Sequence, residues 1–483
     1  MEKEKELLSG KHSPITKKRP IKVLQFGEGN FLRAFVDWII QELNNQTTFY
    51  GDVKIIQPIP TGAAEKINQQ NGLYHVLLKG YSGGNFRAST HLIDVVKEAI
   101  NPYSRFEDFL AEAENEDLEF IVSNTTEAGI AYQEDDQLTD RPASSFPGKL
   151  LQFLYHRYQT LPNSKSIYIL PCELIENNGQ QLKKIIYQLS EKWSLGSYFN
   201  NWLAEKIIFC NTLVDRIVTG FPSKNTQKTW EEHNQKDELL VEGELFHLWV
   251  IEGPDSLKNR LLFDQTPLNI ILTNNLKRYR ERKVRILNGL HTLMVPVAYL
   301  SGIRTVREST ENQVMFEYLS EALHLEMLPT LTGDQNELKE YAEEIIWRFK
   351  NPAIHHELIS IALNSFSKYK TRVLPSVLAL YQIEEKLAKH LLFSLAALIC
   401  FYRGEWENET IELRDDSYVL KKLDALWREK QPTEIVHEIL TDTKLWERDL
   451  TEIPGLSECV NANINDILSS GVMKSLGKLK VIE

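Results

Sequence analysis

In residues 21–35, "IKVLQFGEGNFLRAF", a mostly apolar run, Ile21–Phe26, stops at Gly27 and Gly29, and from residue 32 to 44 apolar side chains recur with helical spacing. This is the pattern of a strand, a tight turn and a helix. Glycine at such a turn permits close backbone approach, while the helix start offers free N–H groups and a positive dipole end to a pyrophosphate. Phe26, Gly27, Glu28, Gly29, Asn30, Phe31, Leu32 and Arg33 are therefore the candidate dinucleotide-binding loop, with an ordinary βα turn as the competing reading. The GxGxxG pattern is incomplete, because Leu32 stands where the third glycine would fall. The acidic ribose ligand expected at the end of the second strand is also missing, and "IIQPIPTG" (55–62) offers Gln57 and Thr61 instead. Gln57 is the candidate there. No arginine stands at that strand end to meet a 2′-phosphate, so NAD is expected and NADP stays open.

Working outward, short apolar runs follow at 53–59, 118–124, 166–172 and 206–214, with helical segments at 146–158 and 178–193 between them. Such alternation favours a mostly parallel sheet covered by helices. From about Asn275 one helical pattern follows another without convincing strand signals, so the second domain should be all helical. The expected domains are residues 1–275, an α/β domain behind a polar tail of residues 1–20, and residues 276–483. Two domains also suit a chain of 483 residues, since single cores stop growing at about 250–300.

The net charge of -12 argues against nucleic acid or an anionic membrane as a partner. Cys172, Cys210, Cys400 and Cys459 are widely separated and form neither a CxxC pair nor a compact disulfide framework, which suits a reducing cytosol. The N-terminus lacks the apolar core of a signal peptide. The longest apolar run, "LLFSLAALICFY" (391–402), is too short for the roughly 20 residues of a membrane span and reads as a buried helix. A cytoplasmic location is expected.

Within this acidic chain, "YRERKVRILNGLHT" (279–292) concentrates Arg280, Arg282, Lys283 and Arg285. At about 100° per residue, Lys283 and His291 lie about 80° apart, Asn288 and His291 about 60°, and Arg280 within about 20° of His291. A solvated basic helix is the bland reading. Against it stands the change to "ILNGLHTLMVPVAYL", where Asn288 and His291 sit in apolar sequence that should be buried and need partners. Oxidation of a secondary alcohol by nicotinamide without a metal requires a base and a donor to the forming carbonyl, and such groups would supply both.

These residues, K-x-R-x-L-N-G-x-H, resemble the catalytic signature of the polyol-specific long-chain dehydrogenases, the mannitol dehydrogenase family. "FGEGNFLRAF" resembles the family's glycine loop, "VDRI" (214–217) its V-D-R-I motif, and "RFKNPAI" (348–354) its R-F-x-N-P-x-I segment, so the resemblance covers nearly the whole chain. It implies a Rossmann-type NAD domain followed by a helical domain, with a site between them. It also implies metal-independent chemistry, with Lys283 as general acid/base and Asn288 and His291 stabilising and orienting the reacting oxygen. Asp215 and Arg216 would line the cleft, the alternative for them being a buried ion pair at the strand end.

Two departures narrow the implied substrate. The mannitol enzymes place S-C-D-N at a strand end, its Asn a second oxyanion donor, whereas "PCELIENNG" (171–179) has Leu174 there, with Asn177 or Asn178 as replacements. They also carry Glu three residues before the lysine, where this chain has Arg280. A cation there suits a substrate carboxylate, and the resemblance is to the hexuronate branch, whose small-molecule substrates are a hexuronate and the matching aldonate. Arg280, with Lys368 and Arg372 from "SKYKTR" (367–372), is the candidate carboxylate receiver; an exposed helical face is the alternative for Lys368 and Arg372. A fructuronate reductase or mannitol-type dehydrogenase and a noncatalytic sugar-acid sensor are the rival functions, and a sensor would be expected to lose Lys283. The pair His355 and His356 suggests a metal, but no HExxH or spaced Cys/His set accompanies it, so none is expected. Oligomeric state is open, a monomer included.

Overall fold

The computed structural model describes residues 6–9, 18–126, 128–222, 230 and 235–479. The polar tail expected over residues 1–20 lies for the most part outside the described residues. The chain forms two compact units, Met1–Leu276 and Lys277–Glu483.

The first unit is built on a six-stranded sheet in the order β5-β2-β1-β6-β7-β8, with β1 Ile21–Phe26, β2 Asp52–Ile56, β5 Val96–Ile100, β6 Phe120–Ser123, β7 Ile167–Pro171 and β8 Ile207–Phe209. Every neighbouring pair in it is parallel. The strand period of two sends alternate residues of β1 to opposite faces. Val23 joins one apolar core with helix α1 (Asn30–Ala34) and helix α2 (Val36–Gln46). Leu24 and Phe26 join a second core with helix α3 (Phe146–Thr160) and helix α4 (Asn178–Lys192). Helices on both faces of a parallel sheet, with this strand order, make a doubly wound Rossmann-type fold.

Two further sheets were not among the expected elements. Strands β3 (Tyr74–Ser82) and β4 (Asn85–Ile93) pair antiparallel over nine residues and extend into a four-stranded sheet, β10-β11-β3-β4, with β10 Val218–Gly220 and β11 Val241–Glu244. Strand β9 (Asn211–Asp215), β12 (Leu248–Glu252) and β13 (Ile270–Thr273) form a three-stranded sheet. Most side chains of β4 are exposed, so it presents no apolar run. The available signal was its turn, Gly83-Gly84, where φ is 56° and 76°, the paired positive values a two-residue hairpin demands.

The second unit is helical, as expected, apart from a hairpin of two-residue strands, Glu405–Trp406 and Glu409–Thr410. Its turn residues Glu407 and Asn408 take positive φ, and so short an exposed hairpin carries no periodic signature. Helix α5 (Leu276–Arg282) runs into a π-helix, Lys283–Asn288, and on into helix α6 (Gly289–Leu300), which is buried along almost its whole length. Helix α6 packs against helix α7 (Ser365–Arg372) and helix α8 (Lys389–Phe401). The apolar run 391–402 is thus a core helix. Among the described residues no helix is long and apolar enough to cross a membrane, and no group of His, Cys, Asp and Glu could hold a metal ion.

Candidate functional site

The two glycines of the first turn have different tasks. Gly27 has φ +125°, and a Cβ there would stand 2.9 Å from the Asn124 carbonyl oxygen and 3.0 Å from Leu32 Cδ1, so only glycine fits. Gly29 has φ -66° and nothing within 4 Å of a Cβ, which leaves open space above the start of α1. Leu32, at the third glycine position, is 1% exposed and fills the core against Gly27. Phe26 is buried in the opposite core, and Phe31 stacks on Phe35 with centroids 5.0 Å apart.

Arg33 works beneath this loop. It is buried, its Nε donates to the Glu28 carbonyl at 3.2 Å and its Nη2 to Asn30 Oδ1 at 2.6 Å, while Nη1 donates to the Leu239 carbonyl. Its guanidinium also lies 5.2 Å from the Tyr74 ring centroid. Its donors are spent shaping the loop. Gln57 is likewise committed: Nε2 donates to the Ile59 and Pro60 carbonyls at 2.8 and 3.1 Å, and Oε1 accepts from Ala64 N–H at 3.2 Å. Its side chain thus shapes the turn after β2. The carboxylate near this strand end comes from Glu28. Its Oε1 accepts from Ala63 N–H at 3.4 Å and lies 2.0 Å from where a Gly62 Cβ would stand, so glycine at 62 is what admits it. Burial pushes the Glu28 carboxyl up. A cleft of about 750 Å³ opens beside it, lined by Gln57, Thr61, Gly62, Asn101 and Arg105. Arg105, absent from the sequence reading, bonds Glu98 at 2.6 Å and Asp108 at 2.5 Å.

At the ends of β6 and β7, Glu173 is 2% exposed and accepts from Thr125 N–H and Oγ1, both at 2.9 Å, and from Ser123 Oγ at 3.0 Å. Leu174 points out at 62% exposure. Asn178 cannot replace the missing donor, because Nδ2 donates to the Pro171, Glu173 and Thr212 carbonyls while Oδ1 accepts from Gly179 and Thr212 N–H. Asn177 is exposed, in a left-handed conformation before α4. Arg216 is buried over the Trp38 ring, 4.2 Å from its centroid, and donates to the Ala34, Leu245 and Phe246 carbonyls. It holds α1, the end of β9 and the segment before β12 together. Asp215, at the end of β9, is 5% exposed.

In the second unit the basic stretch separates into parts. Arg285 donates to Ser376 Oγ and Thr330 Oγ1, and Arg282 lies 4.2 Å from the Tyr341 ring centroid; both are structural. Lys283 and Asn288 bracket the π-helix, each half-buried. In a regular α-helix residues five apart diverge by about 140°, but i→i+5 bonding widens the turn and brings them toward one side. The uniform 100° spacing is corrected accordingly. His291 is 8% exposed between the Phe349 ring, 4.4 Å away, and the His356 ring, 5.1 Å away and edge-on. His355 is exposed, so the two adjacent histidines do point apart.

Gly289 lets the C-terminus of α7 approach: the Arg372 carbonyl oxygen lies 3.4 Å from where a Cβ would stand. Arg372 Nη1 reaches Thr292 Oγ1 at 3.4 Å, one residue beyond His291. One turn earlier on α7, Lys368 donates to the Ile361 carbonyl at 2.8 Å. Burial lowers both cations, and for Lys368 the neighbouring Arg372 charge adds to it. Half-buried like charges of this kind gain from an incoming anion. Arg280 is half-buried on the last turn of α5.

Residues 21–265 match the mannitol dehydrogenase Rossmann domain and residues 275–468 the mannitol dehydrogenase C-terminal domain. The chain belongs to the mannitol dehydrogenase family. It is an oxidoreductase acting on CH–OH groups. An altronate oxidoreductase of Phocaeicola vulgatus is 42% identical over 470 residues, covering 96% of this chain and 98% of that one. Substrate-free D-sorbitol dehydrogenase superposes with a TM-score of 0.77 at 19% identity, over 94% of this chain and 95% of that one. The Pseudomonas fluorescens mannitol 2-dehydrogenase ternary complex with NAD and D-mannitol gives 0.67 at 16% identity, over 96% and 95%. These two likenesses concern the fold. Glu173 and Arg105 are polar groups that sequence reasoning passed over, whereas Glu28 was among the loop candidates without a role of its own. For Glu173 a signal existed, an acid beside Leu174 at the strand end; for Arg105 nothing in its own surroundings marked it.

Proposed function

We propose that this family member is an NAD-dependent tagaturonate reductase, converting D-tagaturonate and NADH to D-altronate and NAD, reversibly. The observation that carries the substrate class is the packing of α7 on α6, which sets Lys368 and Arg372 beside the helix bearing His291. Burial and mutual repulsion outweigh the one carboxylate that acts on this pair, Asp415 on Lys368, so a sugar-acid carboxylate supplies a counter-charge that a neutral polyol does not. The altronate oxidoreductase relative, aligned over nearly the full length of both chains, points the same way.

The residues of the first turn suit the nucleotide. Gly29 leaves room for a pyrophosphate to approach the backbone, and Glu28 puts a carboxylate beside the cleft at the end of β2, where a ribose hydroxyl can donate to it. A 2′-phosphate there would meet that carboxylate, and the only arginine lining the cleft is already paired with two acids. NAD is therefore favoured over NADP. Bound NADH supplies the hydride.

Lys283 holds the proton that the substrate oxygen takes up as the keto carbon becomes a CH–OH group, and receives it back in the oxidative direction. Asn288 makes no side-chain hydrogen bond among the described residues, so its amide can donate to the same oxygen. His291, set between Phe349 and His356, orients that oxygen. Arg280, Lys368 and Arg372 receive the carboxylate.

Oxidation of NADH with D-tagaturonate, D-fructuronate and D-fructose side by side tests the substrate. The expected order places tagaturonate first and fructose last; preference for neutral fructose overturns the carboxylate argument. Lys283→Ala is expected to lose at least about a hundredfold in turnover while still binding NADH. Unchanged turnover would sink the mechanism.

A further inference from the structure

Beneath the glycine turn lies a buried polar network that the proposed chemistry does not use. Asp37, on α2, and Gln25, on β1, are both 0% exposed, and Tyr74, on β3, is 0% exposed as well. The Tyr74 hydroxyl donates to Asp37 Oδ2 at 2.7 Å and to the Arg33 carbonyl at 3.3 Å. Gln25 Nε2 lies 3.5 Å from the same carboxylate oxygen and donates to the Gly27 carbonyl at 3.1 Å. Arg33, over the Tyr74 ring, holds the Glu28 carbonyl and the Asn30 side chain. The acceptors Gly27 O, Glu28 O and Asn30 Oδ1 are thus drawn downward and the Gly27 N–H is held by the Ile56 carbonyl at 3.0 Å, so the turn is fixed from beneath.

We propose that Asp37 is a positioning residue for the nucleotide: through Gln25 and Tyr74 it presets the glycine turn, and a proton on its carboxyl favours the bound form. The inference rests on the reading of that turn as the nucleotide site. Among the described residues, Asp37 Oδ1 and Gln25 Oε1 are buried acceptors that find no donor. A proton on the carboxyl removes a buried negative charge from beneath a site that would take a pyrophosphate. The charged and titratable groups facing the carboxyl are Arg33 from α1 and Tyr74 from β3; Asp237, before β11, acts on Arg33 and Tyr74. Burial carries the Asp37 carboxyl up to about 7, so both forms are accessible near neutrality. By linkage, bound nucleotide holds the proton more tightly and affinity falls as the proton leaves.

The experiment is NADH fluorescence titration from pH 6 to 8.5 on the full chain, with Asp37→Asn and Tyr74→Phe, each checked by thermal melting. In the wild-type chain the NADH Kd should rise on the order of fivefold across this range. Asp37→Asn, a lasting mimic of the neutral acid, should hold the low-pH affinity throughout. Tyr74→Phe, which cuts the link to the carboxyl while sparing the ring, should weaken NADH severalfold at pH 6. A wild-type Kd independent of pH, an Asp37→Asn profile that follows the wild type, or a folded Tyr74→Phe with unchanged Kd each overturns the proposal. A wild-type chain that does not bind NADH at any pH overturns instead the nucleotide reading on which it rests.

Discussion

Gly27 and Gly29 read alike in a motif and differ in the fold. Gly27→Ala places a Cβ against the Asn124 carbonyl at a φ that L-residues rarely adopt, and should cost at least about 2 kcal/mol in chemical denaturation. Gly29→Ala meets nothing within 4 Å, so stability should stay within about 0.5 kcal/mol. Its NADH Kd should nevertheless rise about tenfold or more, because the methyl enters the space assigned to the pyrophosphate. At the same scale, Arg372→Met should raise the KM for the sugar acid by about tenfold to a hundredfold, the loss of one charge-assisted contact, and leave the KM for NADH unchanged. The burial of His291 was legible in the sequence, because a polar residue in an apolar stretch is a local signal. The carbonyl contacts of Gln57 and Arg216 were not legible, because nothing local tells whether a polar side chain will be consumed by backbone carbonyls.

At the level of elements, two π-helices do what regular helices cannot. The first sets Lys283 and Asn288 closer in angle than an α-helix allows. The second, Ala322–Met327, carries Glu326 to the N-terminus of α8, where it accepts from His390 and Leu391 N–H, both at 2.9 Å, and from His390 Nδ1 at 2.7 Å. Glu321 meets Nε2 at 3.1 Å. Burial lowers the His390 pKa, but the two carboxylates outweigh it and the net shift is upward. A raised folded value means that stabilisation by this cluster is fully present below the ordinary histidine value of about 6.5 and is lost as pH rises through the folded value. His390→Asn should therefore cost about 1–3 kcal/mol at pH 5.5 and progressively less toward pH 8.5, measured by denaturant titration. A difference that grew with pH would contradict the assignment. Neither π-turn was legible, since one extra residue in a turn leaves apolar periodicity nearly intact. The β3–β4 hairpin was missed for a different reason, its exposed second strand.

For the molecule as a whole, the four cysteines are free, three buried and Cys459 half-buried. Burial raises every one of them, Cys210 and Cys400 up to about 12. A thiol reagent at pH 8 should consequently label at most one cysteine in the folded chain and four after denaturation, and added reductant should leave Tm unchanged. The alternation of strands and helices, the glycine turn and the run of helices in the second unit were determined by the sequence alone, because apolar periodicity and the need for positive φ act over a few neighbouring residues. Only the tertiary structure decided which polar groups are spent and which remain. Arg33 is tied to a carbonyl 206 residues away and Arg216 to one 182 residues away, whereas the Glu28 carboxylate reaches the cleft because Gly62 carries no Cβ. Satisfying a buried donor or acceptor is settled between segments far apart in the chain, and no local pattern encodes it.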